Sequence, residues 1–292
     1  MSAVAVHGGA GHGPRGGEAA AARHRAALAE AVEAARGALA GGGSALDAAV
    51  AAVVELEDCP LFNAGRGAVA NERGTFELDA AVMDGERRRA GAVAAVSGVR
   101  NPVLLARAVM DATPHVLLAG DGALELAERT GLERAGRDWF AQRGPDHAPG
   151  DAGGVAEAQG GGTVGAVVLD DRGRLAAATS TGGVRGQLAG RVGDTPLPGA
   201  GTYADDLVAV SGTGQGEAMM QTVAAHELAA LVRHARLPLA EAAQRVVTAV
   251  EVRGGGGVIA LGRDGSIAMP FSTPAMYRAW ASGDGAVQSA VL

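Results

Sequence analysis

The feature that most constrains the fold of this chain is an abrupt change of pattern at residue 163. Residues 141–162 are rich in Gly, Ala, Asp and Pro and have no apolar face, which predicts an exposed, mobile linker. Thr163–Leu169 and Arg174–Ser180, joined by the turn residues 170–173, then predict a β-hairpin. A buried strand therefore starts directly where the linker ends, and Thr163 is its first residue.

The rest of the chain alternates between groups of strands and groups of helices. The predicted strands are Ala3–His7, Ala68–Asn71, Thr75–Asp79, Gly91–Val96, Leu207–Ser211, Val258–Leu261 and Ile267–Pro270. The predicted helices are Glu18–Ala40, Ala45–Glu57, Asn101–Met110, Gly216–Arg236 and Leu239–Val252. Helices grouped outside antiparallel strands predict an α+β fold, with two sheets packed face to face between two helical layers.

Charge and apolar pattern exclude two classes of partner. The net charge is −7 and the basic cluster Arg87–Arg89 is short, so we expect no nucleic-acid partner. Charges and glycines interrupt the apolar stretches before they reach the ~18 residues that a membrane span requires, so we expect no membrane partner. Cys59 is the single cysteine, and the start of the chain lacks the pattern of a secretory signal. We therefore expect a cytoplasmic protein.

Common cofactor and hydrolase motifs fit this sequence poorly. Gly11–Gly16 can be read as a dinucleotide fingerprint, but Pro14 disturbs the turn, and the acidic residues about 20 positions further on lie inside a predicted helix. The histidines do not cluster with Cys59 at metal-ligand spacing, and the elbow motif of serine hydrolases is missing from the sequence. We expect no organic cofactor.

The junction itself suggests a nucleophile. A Thr hydroxyl needs a base, and cleavage of the Gly162–Thr163 bond would free an α-amine on the same residue as the hydroxyl. Such an amine has an unperturbed pKa of about 7.7–8.0, so it can take a proton near neutral pH. Gly162 can also adopt the strained backbone that an attack on its carbonyl requires. The alternative is that Thr163 merely starts a strand.

Further clusters in the second half of the chain support the nucleophile. Thr179–Gly183 ends the partner strand with hydroxyls, unless it is simply a polar strand end. Arg191 and Asp194 lie in one loop, a spacing that suits the carboxylate and ammonium of an amino acid or, equally, a surface ion pair. Ser211–Glu217 is a Gly-rich turn that resembles an oxyanion hole, and also a phosphate loop or a helix cap.

Taken together, these motifs resemble the plant-type L-asparaginases with isoaspartyl peptidase activity, members of the N-terminal-nucleophile (Ntn) hydrolase superfamily. The resemblance spans nearly the whole chain and rests on His7–Gly11, Glu55–Gly65, Leu78–Gly85, Arg100–Pro102, Gly162–Val167, Thr179–Gly183, Gly190–Asp194 and the Thr213 turn. It implies a four-layer αββα sandwich of the Ntn-hydrolase type. It also implies self-cleavage into an α subunit, residues 1–162, and a β subunit, residues 163–292, which form one structural domain and assemble as a dimer of α–β heterodimers.

The same resemblance implies a role for particular residues. They are Thr163 as the nucleophile, Thr181 as its hydroxyl neighbour, Thr213 and Gly214 as the oxyanion hole, and Arg191, Asp194, Gly216 and Asn63 around the substrate. A structural sodium ion would be held mainly by backbone carbonyls of Leu56, Glu57, Cys59, Phe62, Ala64 and Arg66. Gln215 departs from the family pattern, in which Thr or His is frequent, and so bears on substrate preference.

The implied reaction is hydrolysis of L-asparagine to L-aspartate and ammonia, together with cleavage of β-aspartyl dipeptides. A glycosylasparaginase is the nearest alternative, since it shares the patterns at Gly190–Asp194 and Gly199–Asp206. That group usually has Asp before the nucleophile, where this chain has Gly162. A different class is a non-enzymatic protein that binds amino acids through Arg191 and Asp194.

Overall fold

The computed structural model describes residues 2–14, 16–142 and 162–292. The predicted linker 141–162 lies outside the described residues except for positions 141, 142 and 162. The described strands are β1 Ala3–Gly11, β2 Leu78–Asp84, β3 Arg89–Val96, β4 Leu117–Ala119, β5 Val164–Leu169, β6 Leu175–Thr181, β7 Thr202–Ala204, β8 Val208–Gly214, β9 Gly256–Gly262, β10 Ile267–Ala268, β11 Ala275–Ser282 and β12 Gln288–Ala290. The described helices are α1 Gly17–Ala40, α2 Ala45–Asp58, α3 Pro102–Ala112, α4 Gly120–Arg129, α5 Arg137–Phe140, α6 Gly216–Thr222, α7 Ala224–Arg233 and α8 Leu239–Glu251.

The strands form a large sheet and a small sheet. The large sheet has the order β12-β11-β1-β5-β6-β2-β3-β4, and the small sheet has the order β10-β9-β8-β7. The predicted hairpin forms as β5 and β6, with Val164 opposite Ser180. Because β5 pairs with β1 on one side and β6 on the other, the strand that follows Thr163 lies inside the large sheet.

Alternation along β5 shows what covers each face of the large sheet. Val164, Ala166 and Val168 belong to an apolar cluster with residues of α1, α2 and α3. Val167 and Leu169 belong to a second cluster with residues of β8, β9, α7 and α8. Successive side chains of a strand point to opposite faces, so α1 to α3 pack on one face and the small sheet packs on the other. The predicted α+β class is therefore confirmed.

Two strand predictions need correction. Residues 68–71 form no strand, because side-chain amides take the place of ladder partners: Asn63 Oδ1 accepts from the Val69 N–H at 3.0 Å, and Asn71 Oδ1 accepts from the Thr75 N–H at 3.0 Å. The strand predicted at Thr75–Asp79 begins only at Leu78 and runs further along the chain as β2.

The predicted helix Gly216–Arg236 is divided into α6 and α7. Val223 separates them with φ of 49°, in the left-handed region that is costly for a β-branched residue. Hydrogen bonds to a remote segment hold the first turn of α7, because the N–H groups of Ala225 and His226 donate to the carbonyls of Ala200 and Gly199 at 3.0 and 2.8 Å. Tertiary hydrogen bonds thus override the helical periodicity.

Other predictions agree closely with the structure. The predicted helix Ala45–Glu57 forms as α2 and starts with a capping box: the Ser44 hydroxyl accepts from the Asp47 N–H at 3.2 Å, and the Asp47 carboxylate accepts from the Ser44 N–H at 2.8 Å. Of the described helices, none is both long enough and apolar enough to span a bilayer.

Candidate active site

The ends of β5, β6 and β8 meet at a cavity of about 800 Å³. Strands of both sheets and the loops after β6 and α8 contribute to its wall. The sequence-predicted residues in the lining are Gly162, Thr163, Thr181, Arg191, Asp194, Gly214 and Gly216. The structure thus brings together groups that lie far apart in the sequence.

Thr163 lies at the edge of this cavity, one residue before β5. The residue is 7% exposed, and its Oγ1 lies 3.2 Å from Thr181 Oγ1, to which it donates. Thr181 Oγ1 also accepts from the Gly183 N–H at 3.1 Å, which orients the second hydroxyl. The predicted pairing of Thr163 with Thr181 is therefore present.

Gly162 is packed closely between two neighbouring segments. A Cβ atom added at Gly162 would lie 2.6 Å from Thr213 Oγ1, and one added at Gly9 would lie 2.6 Å from the Gly162 nitrogen. Both distances are shorter than real Cβ contacts, so these approaches require glycine. The bond that precedes Thr163 is thereby held against the Thr213 hydroxyl.

Thr213 and Gly214 end β8 beside the same bond. Thr213 is fully buried, and its Oγ1 accepts from the Ala10 N–H at 3.1 Å, which leaves its own proton available for a ligand oxygen. Gly214 has φ of 133° and stands opposite Gly256 in β9, where an added Cβ would lie 2.4 Å from the Gly256 Cα. The backbone conformation next to Thr213 therefore depends on glycine.

Arg191 and Asp194 lie on the loop that follows β6. Arg191 forms a bidentate ion pair with Glu217, with Nε to Oε1 and Nη2 to Oε2 both at 3.0 Å. A Cβ added at Gly216 would lie 2.8 Å from Arg191 Nη2 and 2.9 Å from Asp194 Oδ1, so the missing side chain lets the loop approach. The sequence did not identify Glu217 as a residue of the site, because it looks like an ordinary acidic residue in the first turn of a helix.

Asp194 is a buried carboxylate with an unused oxygen. Its Oδ2 has no hydrogen-bond partner among the described residues, and burial raises its pKa to about 7 against the attraction of Arg191. A buried carboxylate oxygen without a partner is costly unless a ligand supplies a donor. An ammonium group would supply both the donor and the compensating charge.

Asn63 lies behind the cavity wall. Its Nδ2 donates to the Gly183 carbonyl at 2.7 Å, and its Oδ1 accepts from the Val69 N–H at 3.0 Å. Both ends of the amide are thus committed to backbone groups. Asn63 does not line the cavity itself, but it holds the backbone of Gly183, which is a lining residue.

The residues predicted to hold sodium lie in the last turn of α2 and in the loop that follows. The last carbonyls of a helix lack helical partners, and Pro60 has no N–H to serve the carbonyl of Leu56. A Cβ added at Gly65 would lie 2.4 Å from the carbonyl oxygen of Glu57, so the loop closes tightly around these carbonyls. Among the described residues, no group of His, Cys, Asp and Glu side chains could hold a metal. The Ala64 carbonyl accepts from the Gly67 N–H at 3.1 Å, and the sodium site stays a prediction.

The cavity thus places a guanidinium and a buried carboxylate next to the paired hydroxyls of Thr163 and Thr181. The profile of the Asparaginase family matches residues 1–291, and the chain belongs to that family. It is 48% identical to the isoaspartyl peptidase of Salmonella typhimurium, over 95% of this chain and 94% of the relative. It is 47% identical to the isoaspartyl peptidase of Escherichia coli, over 95% of this chain and 92% of the relative. It is 43% identical to the plant-type L-asparaginase of Pyrobaculum calidifontis, over 96% of this chain and 97% of the relative.

Proposed function

We propose that this protein hydrolyses L-asparagine and β-aspartyl dipeptides, with Thr163 as the nucleophile that self-cleavage exposes. The observation that carries the proposal is the position of Thr163: it follows a tightly packed Gly162, contacts Thr181, and shares one cavity with Arg191 and Asp194. The names of the relatives, isoaspartyl peptidase and L-asparaginase, support these substrates.

Self-cleavage would begin with attack of Thr163 Oγ1 on the carbonyl carbon of Gly162. The Gly162–Thr163 C–N bond breaks, the acyl group moves to the Thr163 oxygen, and the hydroxyl proton passes to the departing nitrogen. Water then hydrolyses the ester to a Gly162 carboxylate and regenerates the hydroxyl. The close approach of Thr213 Oγ1 to Gly162 supports a role in stabilising the oxyanion of this step.

The freed α-amine of Thr163 then serves as the base. It takes the hydroxyl proton as Oγ1 attacks the side-chain carbonyl of the substrate, and it returns a proton to the departing ammonia or amine. Water hydrolyses the resulting aspartyl ester. The oxyanion of each tetrahedral state would lie between the Thr213 hydroxyl and the Gly214 N–H, where a single donor contributes about 2.7–4 kcal/mol in well-studied hydrolases.

Arg191 and Asp194 would select the substrate. The substrate α-carboxylate binds the N–H groups of Arg191 that Glu217 leaves available, and the α-ammonium binds the carboxylate of Asp194, whose Oδ1 lies on the side of the lining residue Gly216. Gly216 leaves room for both contacts. This pairing favours a free aspartyl unit over an aspartyl residue inside a peptide chain.

The proposal extends to the architecture and assembly. Residues 1–162 and 163–292 would be the two subunits of one αββα sandwich of the Ntn-hydrolase type; the large sheet, in which β5 and β6 lie between β1 and β2, supports this arrangement. We further propose a dimer of such heterodimers. Sodium would be held by the carbonyls of Leu56, Glu57, Cys59, Phe62, Ala64 and Arg66 and would stiffen the loop behind Asn63.

One experiment tests both the cleavage and the substrate. Intact mass and N-terminal sequencing of the purified protein should reveal a fragment that begins at Thr163. The same sample should release ammonia from L-asparagine and amino acids from β-aspartyl dipeptides faster than it acts on glycosylated asparagine. Faster turnover of the glycosylated substrate would identify a glycosylasparaginase, and an uncut chain without amidase activity would identify a binding protein.

A further inference from the structure

Beneath the cavity, a chain of hydrogen-bonded side chains crosses from one sheet to the other. His7 Nε2 lies 2.8 Å from Ser211 Oγ, Ser211 Oγ lies 2.8 Å from Thr179 Oγ1, and Thr179 Oγ1 lies 2.7 Å from Thr202 Oγ1. The chain ends on the carbonyl of Thr195, 3.0 Å from Thr202 Oγ1. The side-chain members are at most 1% exposed. We call them the hydroxyl chain.

The hydroxyl chain links both sheets. His7 and Thr179 belong to β1 and β6 of the large sheet, whereas Ser211 and Thr202 belong to β8 and β7 of the small sheet. Burial lowers the pKa of His7 to about 3, so its imidazole is neutral at physiological pH and brings no charge into the interface.

Residues two apart in a strand point to the same face, and this relates the hydroxyl chain to the cavity. On β6, Thr179 lies two residues before Thr181, and on β8, Ser211 lies two residues before Thr213. Thr179 and Ser211 therefore point to the same strand faces as Thr181 and Thr213, one side-chain position further from the cavity.

Gly165 completes this pattern on β5, two residues after Thr163. A Cβ added at Gly165 would lie 2.0 Å from Ser211 Oγ and 2.5 Å from His7 Nε2. Residue 165 of β5 therefore has no side chain at the point where the hydroxyl chain passes this strand.

Outside the hydroxyl chain, the Ala10 N–H donates across the sheets to Thr213 Oγ1 at 3.1 Å, and apolar side chains fill much of the remaining interface. These include Ala5, Val167, Ala177 and Val210, and dispersion contacts between small apolar groups tolerate small shifts. Hydrogen bonds depend steeply on distance and angle, so a buried, continuous chain of them fixes the spacing of the strands. A displacement of 1 Å in a reacting group can lower a rate about 10²-fold.

We propose that Ser211 and Thr179, together with His7 and Thr202, are positioning residues that hold β5, β6 and β8 so that Thr163, Thr181 and Thr213 meet. This inference rests on the proposed role of Thr163 as the nucleophile. The hydroxyl chain acts through the strands and does not touch the substrate.

The test compares Ser211→Ala and Thr179→Val with Thr195→Val as the matched control. Thr195 is equally buried, but its Oγ1 has no partner among the described residues, so the control removes a hydroxyl without breaking a link. The readouts are the rate of self-cleavage, kcat and KM for L-asparagine, and the thermal midpoint, with assays run well below each midpoint. We expect self-cleavage and kcat to fall about 10- to 100-fold in the two test variants. KM should change less than about twofold, since Arg191 and Asp194 remain in place.

Thr179→Ser separates positioning from general packing, because it retains the hydroxyl and loses only a methyl group. It should recover most of the kcat that Thr179→Val loses. Normal kcat and self-cleavage in Ser211→Ala and Thr179→Val would overturn the proposal, as would an equal loss in Thr195→Val or a failure of Thr179→Ser to recover. Activity in Thr163→Ala would refute the proposed function itself, which keeps the two failures distinct.

A second observation concerns charge across the cavity. Among the described residues of its lining, the cationic side chains are Arg191 and Arg253. Arg191 is engaged by Glu217, whereas Arg253 donates to the Ala249 carbonyl at 3.3 Å and has no ion pair within the described part of the chain.

Arg253 lies two to three residues before Gly255 and Gly256, which pair with the strand end that carries the proposed oxyanion hole. Gly256 pairs with Gly214, and the Gln215 N–H donates to the Gly255 carbonyl at 3.0 Å. L-asparagine carries one carboxylate, which Arg191 accounts for, but a β-aspartyl dipeptide carries a second carboxylate on its leaving group. The geometry points to Arg253 as a subsite for that second carboxylate, an inference that again depends on the proposed function.

The test uses substrate pairs. Arg253→Gln should raise KM for a β-aspartyl dipeptide about tenfold, while KM for the same dipeptide with an amidated C-terminus and for L-asparagine should stay unchanged. Arg253→Lys should retain most of the discrimination between acid and amide. An equal KM for the acid and the amide in the parent enzyme would overturn the subsite without affecting the assignment of Thr163.

Discussion

Arg191 holds Glu217 in a bidentate ion pair, with Nε to Oε1 and Nη2 to Oε2 both at 3.0 Å. The hydrogen bond from Arg191 lowers the pKa of Glu217, so the pair stays charged at neutral pH. Glu217 therefore fixes the plane of the guanidinium and leaves Nη1, 3.5 Å from Gln187 Oε1, for a ligand. A substrate carboxylate that binds as proposed would meet a cation that is already oriented.

Replacing the guanidinium should therefore affect binding more than turnover. Arg191→Lys should raise KM for L-asparagine by about tenfold or more, because a single ammonium cannot hold Glu217 and the substrate carboxylate in one plane. Self-cleavage and the thermal midpoint should stay close to those of the parent. Steady-state kinetics check this prediction, and an unchanged KM would remove Arg191 from the substrate site.

The protonation state of Asp194 should appear in the pH profile. Burial raises its pKa to about 7, so below that pH the free enzyme carries a neutral acid that cannot attract the substrate ammonium. The value of kcat/KM should thus increase as the pH rises through 7, in addition to the increase caused by deprotonation of the Thr163 amine.

Asp194→Asn isolates this effect. The acidic limb of log kcat/KM should change from a slope of about two to about one, at a lower overall level. A limb whose slope does not change in the variant would show that Asp194 does not titrate in the free enzyme.

Gly162 should matter for self-cleavage and little afterwards. In Gly162→Ala the added Cβ would lie 2.6 Å from Thr213 Oγ1, so attack on the preceding carbonyl should slow about 10-fold or more. Once the bond is cut, residue 162 becomes a chain terminus, and kcat of the mature enzyme should match the parent. Gly136→Ala is the control, because an added Cβ there meets no atom within 4 Å. Self-cleavage of Gly162→Ala at the parental rate would contradict the close packing of Gly162 against Thr213.

Several features of the fold were predictable because local patterns decide them. The hairpin of β5 and β6, the capping box at Ser44 and the Pro-started helix α3 each depend on residues close in the chain. The break at Val223 was not predictable, since its cause is a pair of hydrogen bonds to the remote residues Ala200 and Gly199. The strand prediction at residues 68–71 was wrong for a related reason, because side-chain amides take the place of a partner strand.

Some residues of the candidate site were likewise predictable from local motifs, and others were not. Thr163, Arg191 and Thr213 lie in recognisable motifs; the structure places Thr163 and Arg191 in the lining of one cavity and Thr213 beside Gly162. Ser211 and Thr179 are the first residues of two of these motifs, but the motifs do not indicate that the two side chains contact each other. Their meaning depends on which strands of two different sheets face each other, and that is a property of the whole fold.

The prediction that reaches furthest concerns Thr163 itself. Thr163→Ala should remain one uncut chain without amidase activity, because the same hydroxyl performs the self-cleavage and the later attack on substrate. The parent should give two bands on a denaturing gel, residues 1–162 and 163–292, from a particle that stays whole under native conditions. Thr163→Ser retains an oxygen on the same carbon and should cut slowly, since it loses the methyl group that restricts χ1 and holds the hydroxyl towards Thr181. Cleavage of Thr163→Ala at Gly162 would reveal a contaminating protease, and wild-type amidase activity in that variant would place the nucleophile elsewhere.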